Sequence, residues 1–100
     1  MRNSPTVDEQ LDMLGRMVAV RHLEERLGEL HKAGKTRGPI HRCDGQEAVG
    51  IGATAMLDDE DLLTSTHRGH AHYVGKGVGL HPIVAEILGR ATGACAGRAG

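Results

Sequence analysis

The chain has 100 residues, 39% of them hydrophobic, with 12 Lys and Arg against 13 Asp and Glu and a formal net charge of −1. That balance argues against a general nucleic-acid binder, and the longest near-apolar run, AVGIGATAML at 48–57, is far too short to cross a bilayer. With no Phe or Trp and one Tyr, any core must be Leu, Ile, Val, Met and Ala, which is marginal for a free-standing domain of this size. Protonating all seven His carries the net charge from −1 to +6, so anion affinity is expected to depend on pH near the ordinary histidine range. Cys43 and Cys95 show no C-x-x-C spacing, and acidic residues stand where an apolar signal core would lie. Reduced thiols and a cytoplasmic location are therefore expected.

In chain order, residues 6–35 read as a long helix. Thr6 suits the N-cap, with Glu9 as its capping-box partner. Leu11, Leu14 and Val18 lie on one stripe, followed by Val20, Leu23, Leu27 and Leu30 at helical spacing. Gly34 with Lys32 and Lys35 marks its end. At ~1.5 Å per residue this helix is about 40 Å long, more than a small domain needs. Residues 36–45 form a breaker-rich loop with the turn dipeptides Gly38-Pro39 and Asp44-Gly45.

Residues 46–58 predict a second helix with Ala48, Ile51, Ala55 and Met56 on one face. Gly50 and Gly52 each cost helix stability, which makes sense where another backbone approaches closely. An acidic turn, LDDEDLL, precedes a short strand candidate at 62–66. After a polar, histidine-rich stretch, Pro82 opens a third helix through about Arg90, with Ile83, Ile87 and Leu88 facing one way. The tail GRATGACAGRAG has no pattern that could fold alone. This order suggests the opening of an α/β layer structure whose sheet must be completed from elsewhere.

The chemistry concentrates in TSTHRGHAHYVGKG, residues 64–77, which offers His67, Arg68, His70, His72 and Lys76. As a metal site it fits poorly, because H-x-x-H-x-H matches no established zinc spacing and no carboxylate lies within it. An anion cradle fits better: Arg68-Gly69 combines a guanidinium with unobstructed backbone N–H groups, and His67 adds a donor. A solvated loop is the plain alternative. His41, on a turn just before a helix, can donate to an anionic or carbonyl ligand or be a surface residue. Cys43 reads as a small buried residue rather than a nucleophile.

Taken together, GQEAVGIGA, TSTHRGHAH, GKG, AEILGRATG and CAGRAG occur in an order that resembles the N-terminal third of the alpha subunit of thiamine diphosphate-dependent 2-oxo acid dehydrogenases. The STHRGH-x-H form is most similar to acetoin dehydrogenase and related pyruvate dehydrogenase alpha subunits. The resemblance implies an α/β thiamine diphosphate-binding fold, a parallel sheet with flanking helices, mostly helical in the portion present. Residues 1–100 would be the N-terminal segment of a single such domain, incomplete at the C-terminus.

By the same resemblance, Arg68 matches the arginine that holds the cofactor diphosphate, and His67 stands where many relatives have a cofactor-contacting Tyr. His41 matches the histidine of the H-x-x-x-GQEA loop near the reacting carbon, and His70 a histidine beside the active site. Ala71 replaces a usual glycine, tolerable unless its φ is positive. The implied cofactors are thiamine diphosphate and magnesium, the magnesium ligands falling outside this chain. The implied partners are a beta subunit in a heterotetramer, a lipoyl-bearing acyltransferase, and a 2-oxo acid or acetoin as substrate, with no nucleic acid and no membrane. The choice among acetoin, pyruvate and branched-chain oxo acids stays open. So do a stand-alone histidine-rich anion- or metal-binding module and an inactive truncated chain.

Overall fold

The computed structural model of the chain describes residues 4–36 and 38–99. Arg37 of the breaker loop and Gly100 of the tail lie outside them. The described residues hold four helices in order: α1 (Val7–Lys32), α2 (Glu47–Thr54), α3 (His70–Gly75) and α4 (Leu80–Ile87).

α1 starts and stops on local chemistry. The Thr6 hydroxyl accepts the Glu9 N–H at 3.1 Å, and the Glu9 carboxylate accepts the Thr6 N–H at 3.0 Å. The expected capping box is therefore in place. At the other end the Gly34 N–H reaches the His31 carbonyl and the Lys35 N–H the Leu30 carbonyl, with Gly34 at φ 73°. This is a Schellman stop, which satisfies carbonyls that the last turn leaves without partners. α3 and α4 end in the same way, through Gly77 and Gly89.

Two apolar clusters form the interior. Val20, Cys43, Ile51 and Ala71 make one, with Met13 and Met17 against them; Leu23, Leu27, Ile83 and Ile87 make the other, with Leu30 and Ile40 at its edge. Val74 of α3 packs against both. The short α3 thus touches both the α1–α2 cluster and the cluster that α1 forms directly with α4. Full burial of a side chain such as Leu27 contributes roughly 1.5–3 kcal/mol.

The first stripe expected on α1 is corrected here. Leu11, Leu14 and Val18 are exposed, while Met13 and Met17 turn toward the core ahead of Val20. Both series have helical spacing, so periodicity alone could not choose between them. α2 is also shorter than expected and buries Glu47, Gly50, Ile51 and Thr54 rather than Ala48, Ala55 and Met56.

The glycine cost in α2 is explained at Gly50. A Cβ there would overlap the Ala71 Cβ and stand 2.9 Å from the Ala71 carbonyl carbon. Across the same contact, a Cβ on Gly75 would overlap the Thr54 hydroxyl. Helices this close need positions without side chains. Nothing approaches Gly52, so its expected role is not seen.

Residues 62–66 form no strand, and no strand occurs among the described residues. Leu62 is 98% exposed. A strand needs a neighbour for its N–H and C=O groups, and none is present here. The chain is helical, as expected for this portion. The acidic turn before this segment is held instead by Lys76, whose ammonium donates to the carbonyls of Asp58 at 2.8 Å and Asp61 at 2.7 Å.

The patternless tail turns out to be organised by one side chain. The buried Glu86 carboxylate accepts the N–H groups of Cys95 at 2.6 Å, Gly97 at 3.0 Å and Ala99 at 2.7 Å. Gly93 packs against the α4 backbone, where a Cβ would lie 2.6 Å from the Glu86 Cα.

Candidate functional site

Three segments bring the chemistry together: the loop before α2, the turn at 66–69, and the start of α3. The first is anchored to α1 through Glu47. Its carboxylate accepts from Arg21 at 2.5 and 3.1 Å and from the Gly45 N–H at 2.9 Å. The Arg21 guanidinium, against the cost of burial and helped by the Gly45 N–H, holds the Glu47 carboxyl down at about 2. The loop carrying His41 is thereby fixed at its α2 end.

His41 and His67 meet edge to face, with ring centroids 4.6 Å apart. Beside them the Arg68 guanidinium donates through Nη1 to the Arg42 carbonyl at 2.6 Å. This bond ties the 66–69 turn to the His41 loop. Among the described residues, the Nε and Nη2 donors of this exposed guanidinium have no partner. His70 opens α3, half-buried, and its Nδ1 contacts Oε1 of Glu24, a carboxylate fully buried on α1. The other oxygen of Glu24 accepts the Cys43 N–H at 3.1 Å.

His41, His67 and His70 all line one cavity of about 740 Å³. Ile87 of α4 and the tail residues Gly97 to Ala99, Arg98 among them, line it as well. Arg68 lies next to this cavity without lining it. Of the four residues singled out from the sequence, three converge on one space and the fourth flanks it. His72 and Lys76 do not join them: His72 Nδ1 is buried without a hydrogen-bond partner among the described residues, and Lys76 is committed to the acidic turn. No group of three or more His, Cys, Asp or Glu close enough to hold a metal occurs among the described residues.

Cys43 is buried, and burial together with the nearby Glu24 pushes its thiol up to about 11. It stays protonated at neutral pH and serves as packing. Ala71 also sits comfortably, inside α3 and without a positive φ, its methyl against Gly50. Sequence reasoning missed Glu24, Glu86 and Arg98. A signal existed for the first two: Glu24 falls at helical spacing between the buried Val20 and Leu27, and Glu86 interrupts the apolar IVAEIL. A carboxylate on an inward face needs partners there.

Imidazoles and a guanidinium around one cavity, on a helical scaffold with a buried carboxylate behind them, define a site suited to anion binding and proton handling. The family model for the dehydrogenase E1 component matches residues 15–100, and the chain belongs to that family. It is 43% identical over 97 residues, 97% of its length, to the alpha subunit of the acetoin:2,6-dichlorophenolindophenol oxidoreductase of Bacillus subtilis. The corresponding subunit of Cupriavidus necator is 39% identical over 90% of the chain. The chloroplastic pyruvate dehydrogenase E1 component subunit alpha-3 of Oryza sativa is 38% identical over 95%. The chain spans 29%, 27% and 22% of these relatives' own lengths, respectively. Among the described residues, no helix is long and apolar enough to cross a membrane.

Proposed function

We propose that this chain supplies the diphosphate-holding turn and the histidine wall of the active site in the alpha subunit of a thiamine diphosphate-dependent dehydrogenase. The subunit acts on a 2-oxo acid or acetoin and passes the acyl-level fragment to a lipoyl-bearing partner. The observation that carries this reading is the convergence of His41, His67 and His70 on one cavity beside Arg68. Residues 1–100 then form the N-terminal segment of one thiamine diphosphate-binding domain, whose parallel sheet is completed outside them.

The donors fit the cofactor's anionic end. Arg68 keeps Nε and Nη2 for phosphate oxygens while Nη1 fixes its aim on the Arg42 carbonyl. His67 adds a donor held at a defined angle by the His41 ring. When bound, the thiamine group supplies the electron sink for carbon–carbon cleavage, and the protein supplies orientation and electrostatics. His41, on a loop fixed by Glu47, donates a hydrogen bond to a substrate oxygen. His70 faces the same space from α3. Magnesium finds its ligands elsewhere in the assembled protein, and a beta subunit completes the heterotetramer.

Arg68 touches a group that does not react, so its loss acts on cofactor affinity first. In the alpha subunit assembled with its beta partner, Arg68→Ala raises the apparent dissociation constant for thiamine diphosphate at least about tenfold, equivalent to 1.4 kcal/mol. Titration calorimetry measures it. An unchanged constant removes Arg68 from the site.

A further inference from the structure

We propose that Glu24 is a positioning residue that fixes the tautomer of His70, so that the Nε2 nitrogen of that ring is the one that exchanges a proton with the cavity. The inference deepens the functional reading above, and it rests on that reading for the use to which the proton is put. It starts from a residue that the helical pattern of α1 does not call for. Glu24 is 0% exposed and lies in the inward stripe between Val20 and Leu27. A carboxylate costs several kcal/mol to bury without partners. This one has two, from segments that build the cavity: the Cys43 N–H of the loop before α2 on Oε2, and Nδ1 of His70, the first residue of α3, on Oε1.

The assignment of donors follows from what each group can do. The Cys43 N–H is only a donor, so Oε2 must accept. An ionised carboxylate is acceptor-only at its second oxygen as well, which makes Nδ1 of His70 the donor. In a neutral ring, an Nδ1 lone pair facing the carboxylate would leave the contact without a proton, so the single ring N–H sits on Nδ1. With Nδ1 committed, Nε2 is left. No hydrogen bond engages it among the described residues, it is not among the buried unpartnered atoms, and its ring lines the cavity with His41 and His67. The other titratable or charged groups near this ring are Tyr73 on α3, with ring centroids 6.3 Å apart, Cys43 on the shared Glu24 carboxylate, Arg98 from the tail lining the cavity, and Arg68 flanking it.

A ligand O–H in the cavity can then give its proton to Nε2. The bonding pair stays on oxygen, and the positive charge gained by the ring is met by the Glu24 carboxylate behind it. The reverse transfer restores the starting state. Glu24 touches no ligand, so its contribution is made wholly through the ring.

The test reads nitrogen protonation directly. In the ¹⁵N-histidine-labelled chain, two-bond ¹⁵N–¹H spectra of His70 are followed from about pH 5 to about pH 9, spanning the ordinary histidine range. The expected neutral ring has a pyrrole-type Nδ1 and an imine-type Nε2. A neutral ring that keeps Nε2–H, or a ring doubly protonated throughout, overturns the proposal without any variant. Glu24→Gln sharpens it while preserving size. A glutamine has one acceptor oxygen, which the fixed Cys43 N–H claims, so its amide N–H turns toward Nδ1 and the tautomer reverses. A Glu24→Gln chain whose neutral His70 still carries Nδ1–H also overturns it. The readout needs no cofactor, so it fails or succeeds separately from the thiamine diphosphate titration of Arg68→Ala.

Discussion

In the N-terminal half of α1, Val7, Leu11, Leu14 and Val18 point outward, at 70, 60, 53 and 47% exposure; in the C-terminal half, Val20, Leu23, Glu24 and Leu27 lie inside. Both halves are equally helical, because capping box, Schellman stop and i,i+4 hydrogen bonding are local and run the length of the element. What differs is what the other helices cover. α2, α3 and α4 pack over residues from Met13 inward and leave the outer stripe without an apolar partner among the described residues. Helix formation and helix burial are thus separate facts in this chain, and only the first can be read from a run of letters.

Leu27→Ala breaks the inner half most severely. It removes a fully buried side chain from the cluster with Ile83 and Ile87 and lowers unfolding stability by about 2–5 kcal/mol. Urea melts followed by circular dichroism measure it. Against the ~5–15 kcal/mol typical of a whole domain, that is a large share.

Acid acts next, through the bond between α1 and the His41 loop. The Glu47 carboxyl is held at about 2 in the folded chain, below the about 4.3 of a free glutamate. Its contribution to stability is therefore fully present above the unfolded value and is lost as pH falls through about 4 toward about 2. Wild type should lose melting temperature across that window, and Glu47→Gln should show a shallower acid slope. Equal slopes would release the loop from α1.

The smallest effect belongs to the outer half. Leu11→Ser should change stability within about 0.5 kcal/mol by the same urea assay, since the side chain leaves no interior. A cost approaching that of Leu27→Ala would show the outer stripe to be covered in solution and erase the contrast between the halves.

The legible part of the molecule follows the same division. α1 and α4 could be read because their signals are local: Thr6 with Glu9, Gly34 after the last turn, and Pro82 in a first turn. The short α3 reads as polar loop in the sequence, because His70 and His72 carry no apolar period and its six residues are held by contacts from α1 and α2. The tail escaped for a related reason. Its order comes from the Glu86 carboxylate, nine to thirteen residues distant from the amides it holds. At the site, His41, His67, Arg68 and His70 could be named from residue chemistry and family resemblance together. The inward place of Glu24 was legible from helical spacing, but its pairing with His70, 46 positions away, was not legible without the fold.

The contact between α2 and α3 carries a consequence for which sequences this chain can reach by single substitutions. The Ala71 methyl occupies the space that any side chain at position 50 would need. Once alanine is present at 71, glycine at 50 is entrenched. Replacing Ala71 by glycine removes the worst overlap, but the backbone of residues 71 and 72, at 2.9 and 3.0 Å, still resists a methyl at 50. The two positions are therefore coupled: the histidine-bearing helix carries its methyl at 71 only while glycine lies beneath it at 50.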